Sequence, residues 1–326
     1  MWQEIREKVL AGEGISREEA LQLAGRPLDE LAELLDLSRQ VRERFTGREV
    51  ELCSIINARS GLCSEDCRFC AQSARYNTGV EIYPLIGPEK ALEKARLMEA
   101  AGARRFSLVT SGRGIGERDF EQVLAIYRVL RAETRLQLCA SLGIIDQEKA
   151  RRLKEAGVTM YHHNLETGRR YFPHICTTHT FEERVATIRA AQAAGLSVCS
   201  GGIIGLGERM EDRLEMVLEL RELGVTSVPV NILNPIPGTP LARQKSLPVE
   251  EILKTVALFR LIMPRATFRL CGGREPALGE RQKEALAVAV NGLMIGSYLT
   301  TRGNEIEKDL DMLGSMGLKA AGFEFY

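Results

Sequence analysis

The chain has 326 residues, a length that fits either two ordinary domains or one α/β barrel. Forty-four Lys plus Arg balance 44 Asp plus Glu, so the formal charge is zero, which argues against an extended footprint for nucleic acid or an anionic membrane. A hydrophobic content of 44% excludes wholesale disorder, and eight cysteines are too sparse for a disulfide scaffold.

The N-terminus, MWQEIREKVL, mixes acidic and basic residues around no apolar signal core, so a cytoplasmic protein is expected. Ser16 and Glu19 form a capping-box pattern, and Leu28, Leu31, Leu34, Leu35 and Leu37 follow helical spacing. Residues 1–45 are therefore predicted to be a helical extension. Over residues 46–326, short β-rich runs alternate with longer amphipathic helical runs, which implies a parallel sheet. The strands centre on 50–57, 104–111, 135–142, 158–166, 197–205, 227–233, 267–273 and 293–297. Gly102, Gly157, Gly195 and Gly224 stand just before strands, as left-handed helix caps do. Eight such units predict a closed (β/α)8 TIM-type barrel with a C-terminal helix. An open doubly wound sheet has the same periodicity and stays possible at this point. Gly112, Gly114 and Gly116 follow the second strand, but their spacing is wrong for a dinucleotide loop and suits a flexible βα connection. Uncharged stretches such as 285–301 carry Asn, Gly, Ser and Thr, so no membrane segment is expected.

Cys63, Cys67 and Cys70 fall in the loop after the first strand, at the end where barrels carry chemistry. Clustered cysteines in a reducing compartment read as metal ligands or catalysts. A structural zinc site needs a second ligand pair, and none lies nearby in sequence. Three thiolates can instead hold three irons of a 4Fe-4S cube and leave the fourth iron open. This C-x3-C-x2-C spacing after the first strand of a barrel resembles the radical S-adenosylmethionine superfamily. The resemblance implies that the open iron chelates S-adenosylmethionine, and that one electron cleaves it to a 5'-deoxyadenosyl radical. Phe69 matches the aromatic position beside the adenine, with ordinary loop packing as the plainer alternative.

Cys53, Cys139, Cys199 and Cys271 fall on the first, third, fifth and seventh predicted strands, and alternate strands share one layer inside such a barrel. A lone strand cysteine is commonly a small hydrophobe, but four on the odd strands favour a second metal site. The segments Tyr161 to Thr167 (YHHNLET), Cys199 to Glu208 (CSGGIIGLGE), Val228 to Asn231 (VPVN) and Arg269 to Glu275 (RLCGGRE) resemble the biotin synthase family. That resemblance implies a homodimer, dethiobiotin as substrate and an auxiliary iron-sulfur cluster that supplies the inserted sulfur. It also implies flavodoxin or ferredoxin as electron donor and a cysteine desulfurase system to rebuild the donor cluster.

Residue by residue, Asn164 and Glu166 match positions that hold the ribose hydroxyls and nearby polar groups, and Arg184 matches an arginine beside the cofactor. An interior polar network and a helix-surface ion pair are the respective alternatives. His162, Asn164 and Glu166 alternate along the fourth strand and should share its inward face. Asn231 matches a contact to the ureido ring, while Thr300, Thr301 and Arg59 match contacts near the substrate carboxylate. The family's auxiliary site is a 2Fe-2S cluster held by three cysteines and an arginine. Here its first cysteine position is Ser107, although Cys139, Cys199 and Arg269 remain. Cys271 and Cys53 are extra, and His162 replaces a usual asparagine. A four-iron cube on Cys139, Cys199 and Cys271 is favoured over a 2Fe-2S cluster, with Arg269 a ligand or a neighbour and Cys53 a possible ligand. Cys176 has no partner in this scheme and is expected only to pack. Rival readings are another barrel radical enzyme acting on a different small molecule, and an iron-sulfur electron carrier.

Overall fold

The computed structural model describes residues 2–27 and 30–321, so Leu28 lies outside the described residues. Three helices lead the chain: α1 (Trp2–Ala11), α2 (Arg17–Ala24) and α3 (Leu31–Thr46). The Ser16 side chain accepts from the Glu19 amide and the Glu19 carboxylate accepts from the Ser16 amide, which completes the expected capping box at α2.

The barrel strands are β1 (Glu49–Arg59), β2 (Arg105–Thr110), β3 (Gln137–Ser141), β4 (Val158–His162), β5 (Ser197–Cys199), β6 (Gly202–Ile204), β7 (Ser227–Ile232), β8 (Thr267–Leu270) and β9 (Gly292–Met294). All pair in parallel, and β9 pairs back onto β1, so the sheet closes and the open alternative is excluded. The predicted fifth strand is two short pieces, β5 and β6, both bonded to β7. The break falls at Ser200 and Gly201. A Cβ on Gly201 would lie 1.9 Å from the Pro229 carbonyl oxygen, so the neighbouring backbones touch there and only glycine fits. A last strand, β10 (Lys319–Ala320), lies beside the start of β1.

Helices α4 (Pro88–Ala100), α5 (Glu117–Glu133), α6 (Gln147–Glu155), α7 (Phe181–Ala193), α8 (Met210–Glu222), α9 (Val249–Ile262), α10 (Arg274–Leu278), α11 (Gln282–Val288) and α12 (Ile306–Ser315) follow the strands. Gly102, Gly157, Gly195 and Gly224 all have positive φ, between 68° and 105°, as predicted for the turns back into the sheet. Residues 252–262 of α9 are buried without a break. A helix apolar on every side needs a second layer over it, and the N-terminal helices provide one. α2 and α3 pack on α9, and the Lys254 ammonium reaches the Ala24 and Arg26 carbonyls at 2.7 and 2.6 Å. No helix among the described residues is long and apolar enough to cross a membrane.

Candidate active site

The barrel encloses a cavity of about 330 Å³ at the carboxyl ends of its strands. Residues from every stave line it, including Cys53, Ser107, Cys139, His162, Cys199, Asn231 and Arg269. Phe69 and the pair Thr300 and Thr301 reach it from loops above.

The cysteine loop at the mouth is held by backbone bonds. The Cys63 amide donates to Gln72 at 3.0 Å, Ala74 donates back to Cys63 at 2.8 Å, and Cys70 donates to Cys67 at 3.0 Å. The Asp66 side chain ties the loop to the segment after β4, accepting from the Thr177 amide at 2.8 Å. Leu62, immediately before Cys63, has a φ of 52°, a left-handed conformation that leucine rarely adopts. All eight cysteines are free thiols. Burial pushes the Cys70 thiol up to about 11, with the neighbouring Cys63 adding to the shift, and burial raises Cys63 as well. Cys67 is raised first by its contact with the Cys176 sulfur and then by burial. A half-buried set of thiols that resists ionisation alone suits a soft cationic partner, which relieves the penalty by binding the thiolates.

One wall is polar. His162, Asn164 and Glu166 share it, although regular strand geometry ends at His162. Glu166 has a φ of 72°, and its backbone bridges to β6 through Ile203, which donates to the Glu166 carbonyl at 2.9 Å. Backbone strain held in this way clusters at functional sites. The Asn164 amide donates to Glu166 at 3.3 Å and accepts from the Gly201 amide at 3.1 Å. Arg184 stands one layer behind this wall rather than in the cavity. Its guanidinium bonds the Asn164 carbonyl at 2.8 Å and lies 3.6 Å from the Glu166 carboxylate.

The floor carries Cys53, Cys139, Cys199 and Cys271, each buried. Cys271 lies one residue past β8, yet its amide still bonds Val230 at 3.0 Å and continues the ladder. Ser107 sits beside Cys139 in register, at the place where the fourth thiol would be expected. Arg269 is fully paired on one side: its guanidinium meets the Glu51 carboxylate and reaches Ser227 Oγ at 3.1 Å and Cys199 Sγ at 3.8 Å. Its Nε, in contrast, has no partner among the described residues. Glu51 also receives Arg105 at 2.9 Å. These charges sort the thiols. Burial pushes Cys53 up to about 12 and Cys139 up to about 11. Burial opposes ionisation of Cys199 too, but His162, Arg269 and Ser227 outweigh it and bring that thiol down to about 7.

Asn231 is braced on both sides, donating to the Gly202 carbonyl at 3.2 Å and accepting from the Gly272 amide at 3.1 Å. Arg59 does not join this cavity. The register of β1 shifts between Asn57 and Arg59, and the guanidinium turns outward to Asp119 at 2.6 Å, lining a separate cleft with Gly112 and Arg113. Three participants escaped the sequence reading. Glu51 precedes Cys53 by two positions on the same strand face, a spacing that pointed inward. Tyr298 lines the cavity two residues before Thr300. Cys176 is buried as expected but is not inert: with Cys67 and His179 it brings its donor atom into a group spanning 4.8 Å. The spacing of Cys176 and His179 was the available signal.

A radical S-adenosylmethionine superfamily model matches residues 59–232, and a biotin and thiamin synthesis associated domain matches 229–319. The chain is 59% identical over 318 residues to a biotin synthase of Pelotomaculum thermopropionicum, covering 98% of this chain and 99% of the relative. It is 56% identical over 310 residues to a biotin synthase of Heliobacterium modesticaldum, covering 95% of each. Among solved structures, methylornithine synthase superimposes with a TM-score of 0.83 at 21% identity over 97% of both chains, a likeness that shows the barrel fold alone. At such identity over nearly the whole length, the chain belongs to the biotin synthase family of radical S-adenosylmethionine enzymes.

Proposed function

We propose that the cavity binds dethiobiotin beneath S-adenosylmethionine and that the chain inserts sulfur to form biotin. The observation that carries this reading is the set of four thiols in the floor of one cavity, beside a polar wall and beneath the loop of Cys63, Cys67 and Cys70, which reaches the cavity through Phe69. Cys63, Cys67 and Cys70 would hold a 4Fe-4S cluster, and their half-buried, unbridged thiols fit that group. Cys139, Cys199 and Cys271 would hold the auxiliary cluster, with a four-iron cube favoured because Ser107 removes the usual fourth thiol position. The unpartnered Nε of Arg269 and the low-lying Cys199 thiol support an anionic, sulfur-rich occupant there. The Glu51 carboxylate already engages Arg269, which favours a neighbouring role for that arginine over ligation. When bound, these groups supply a radical able to remove hydrogen from unactivated carbon and a sulfur to replace it.

The protein's own residues bind, orient and keep water out. Glu166 and Asn164 offer a carboxylate and an amide to paired hydroxyls, and Arg184 fixes Glu166 from behind. Asn231 presents an amide, already oriented by Gly202 and Gly272, to a cyclic urea. Thr300 and Thr301 close the cavity over the far end of the substrate. Cys53, raised by burial as Cys139 and Cys271 are, stays a possible further ligand of the auxiliary group. Reduction by flavodoxin or ferredoxin, repair by a cysteine desulfurase system, a homodimer and a cytoplasmic setting complete the proposal, as does the division into a helical extension at 1–45 and a barrel at 46–326.

Anaerobic incubation of reconstituted protein with reductant, S-adenosylmethionine and dethiobiotin should yield 5'-deoxyadenosine and biotin. Absence of both from protein with full iron and sulfide would overturn the reading. Mössbauer spectra of the Cys63, Cys67 and Cys70 triple variant isolate the floor site, where a clean 2Fe-2S signature would sink the four-iron assignment.

A further inference from the structure

Gly296 and Gly303 bracket a loop over the barrel mouth, and its ends meet so closely that a Cβ on Gly303 would collide with the Gly296 carbonyl oxygen. Inside the loop the Tyr298 amide donates to the Thr301 carbonyl at 3.0 Å, and the Tyr298 hydroxyl donates to Glu275 at 2.7 Å. Asn57 Nδ2, from β1, donates to the Leu299 carbonyl at 3.1 Å. The backbone is thus fastened at its neck and its middle. The side chains at its far end are not: the Thr300 and Thr301 hydroxyls and the Arg302 guanidinium, donors on three successive residues, have no hydrogen-bond or ion-pair partner among the described residues.

Tyr298, Leu299, Thr300 and Thr301 line the barrel cavity and also a second cleft of about 360 Å³. Asn231 lines the first of these and Arg302 the second. A Cβ on Gly272 would stand 3.4 Å from Asn231 Oδ1 and 4.0 Å from Tyr298 Cγ, so the loop begins beside the amide assigned to the cyclic urea. From there it passes two threonines and ends on a cation. Dethiobiotin has the matching polarity, with a neutral cyclic urea at one end and an alkyl chain carrying a carboxylate at the other. Arg59, the arginine expected near that carboxylate, is turned away to Asp119. In the second cleft Glu81 is the carboxylate and Arg302 the cation among the lining residues. Without Arg302 the cleft would repel an anion; with it, a free guanidinium offers the planar pair of donors that a carboxylate accepts.

We infer that Arg302 pairs with the substrate carboxylate in this second cleft, with the Thr300 and Thr301 hydroxyls beside it, and so makes the enzyme select the acid over its neutral analogues. This rests on the reading of dethiobiotin as the substrate. Arg302 binds the end of the substrate remote from the reacting carbons and takes no part in the chemistry.

The test is equilibrium dialysis of labelled dethiobiotin, and of its uncharged carboxamide, against the anaerobically reconstituted full-length chain with S-adenosylmethionine and no reductant, so that nothing turns over. R302Q should weaken dethiobiotin about tenfold, the usual worth of a charge-assisted hydrogen bond, and change the carboxamide less than about twofold. R302K should recover part of the loss. In the wild-type chain, raising salt from about 0.05 to about 0.5 M should weaken the acid and spare the carboxamide. Unchanged dethiobiotin binding by R302Q overturns the inference, and so does equal weakening of both ligands, because the shape of the loop rather than its charge would then be at work. If R302Q fails to load iron, the wild-type series decides, and a carboxamide that binds as tightly as the acid at low salt overturns the inference. A fully loaded wild-type chain that binds neither ligand refutes the dethiobiotin reading itself, a failure distinct from the others.

Discussion

Arg274 opens α10 without any solvent exposure, and its buried counterion is Asp309 of α12, 2.5 Å away and equally buried. The same guanidinium bonds Gln282 and reaches Tyr298 Oη at 3.0 Å. Tyr298 donates to Glu275 at 2.7 Å, and its amide bonds Thr301 at 3.0 Å. The ion pair thus tethers the segment that closes the cavity. Asp309→Ala removes one partner and leaves the guanidinium buried with only Glu275, at 3.2 Å, as a nearby carboxylate. Breaking a buried pair from one side costs about 3–5 kcal/mol. At about 2.1 cal/mol/K per residue, the unfolding entropy of a chain this long is about 0.7 kcal/mol/K, so Tm should fall by about 4–7 °C. Scanning calorimetry of anaerobic, fully loaded protein measures it. The double variant R274M/D309L should recover part of the loss, because no uncompensated charge remains. A drop under about 1.5 °C for D309A would refute the premise that this pair is shielded from water.

Ser16→Ala removes the capping box at α2 and should cost about 1 kcal/mol, read as a small fall in Tm with iron content unchanged. Gly201→Ala places a Cβ against the Pro229 carbonyl and should prevent the β5 to β6 break from closing on β7, seen as loss of soluble protein or of the floor cluster's iron. Glu51→Gln should change the floor cluster's Mössbauer spectrum and leave the mouth cluster's EPR signal intact, since Arg269 loses its counterion. Burial raises the Glu51 carboxyl, but Arg269 and Arg105 outweigh it and hold the group below its ordinary value. Its contribution to stability is therefore present above the unfolded carboxylate range and is lost as pH falls through the folded value. Melts of E51Q against pH should lack that acid limb.

The barrel was legible because each of its units repeats the same pattern: a short β-rich run, an amphipathic helix and a glycine turning the chain back. Strand parity also sorted the interior cysteines correctly, since alternation is local and survives without knowledge of the fold. Its limits are physical. Arg59 lies an even number of residues from Cys53 and should point inward, but the register shift after Asn57 reverses its direction, and such irregularities leave no sequence mark. The break within the fifth stave depends on Gly201 meeting Pro229, a contact between strands that periodicity does not contain. Cys176 looked isolated because its partner Cys67 is 109 residues away.

Glu51 joins these failures to the chemistry. It lies 218 residues from Arg269, and sequence alone set that arginine beside the cysteines with no counterion in view. With the carboxylate in place, two arginines share one glutamate beside the floor thiols. Beside it, His162, Arg269 and Ser227 bring the Cys199 thiol down against burial, while burial holds Cys53 and Cys139 up. On the proposed reading, Arg269, held by Glu51, contributes charge to the auxiliary group rather than a bond.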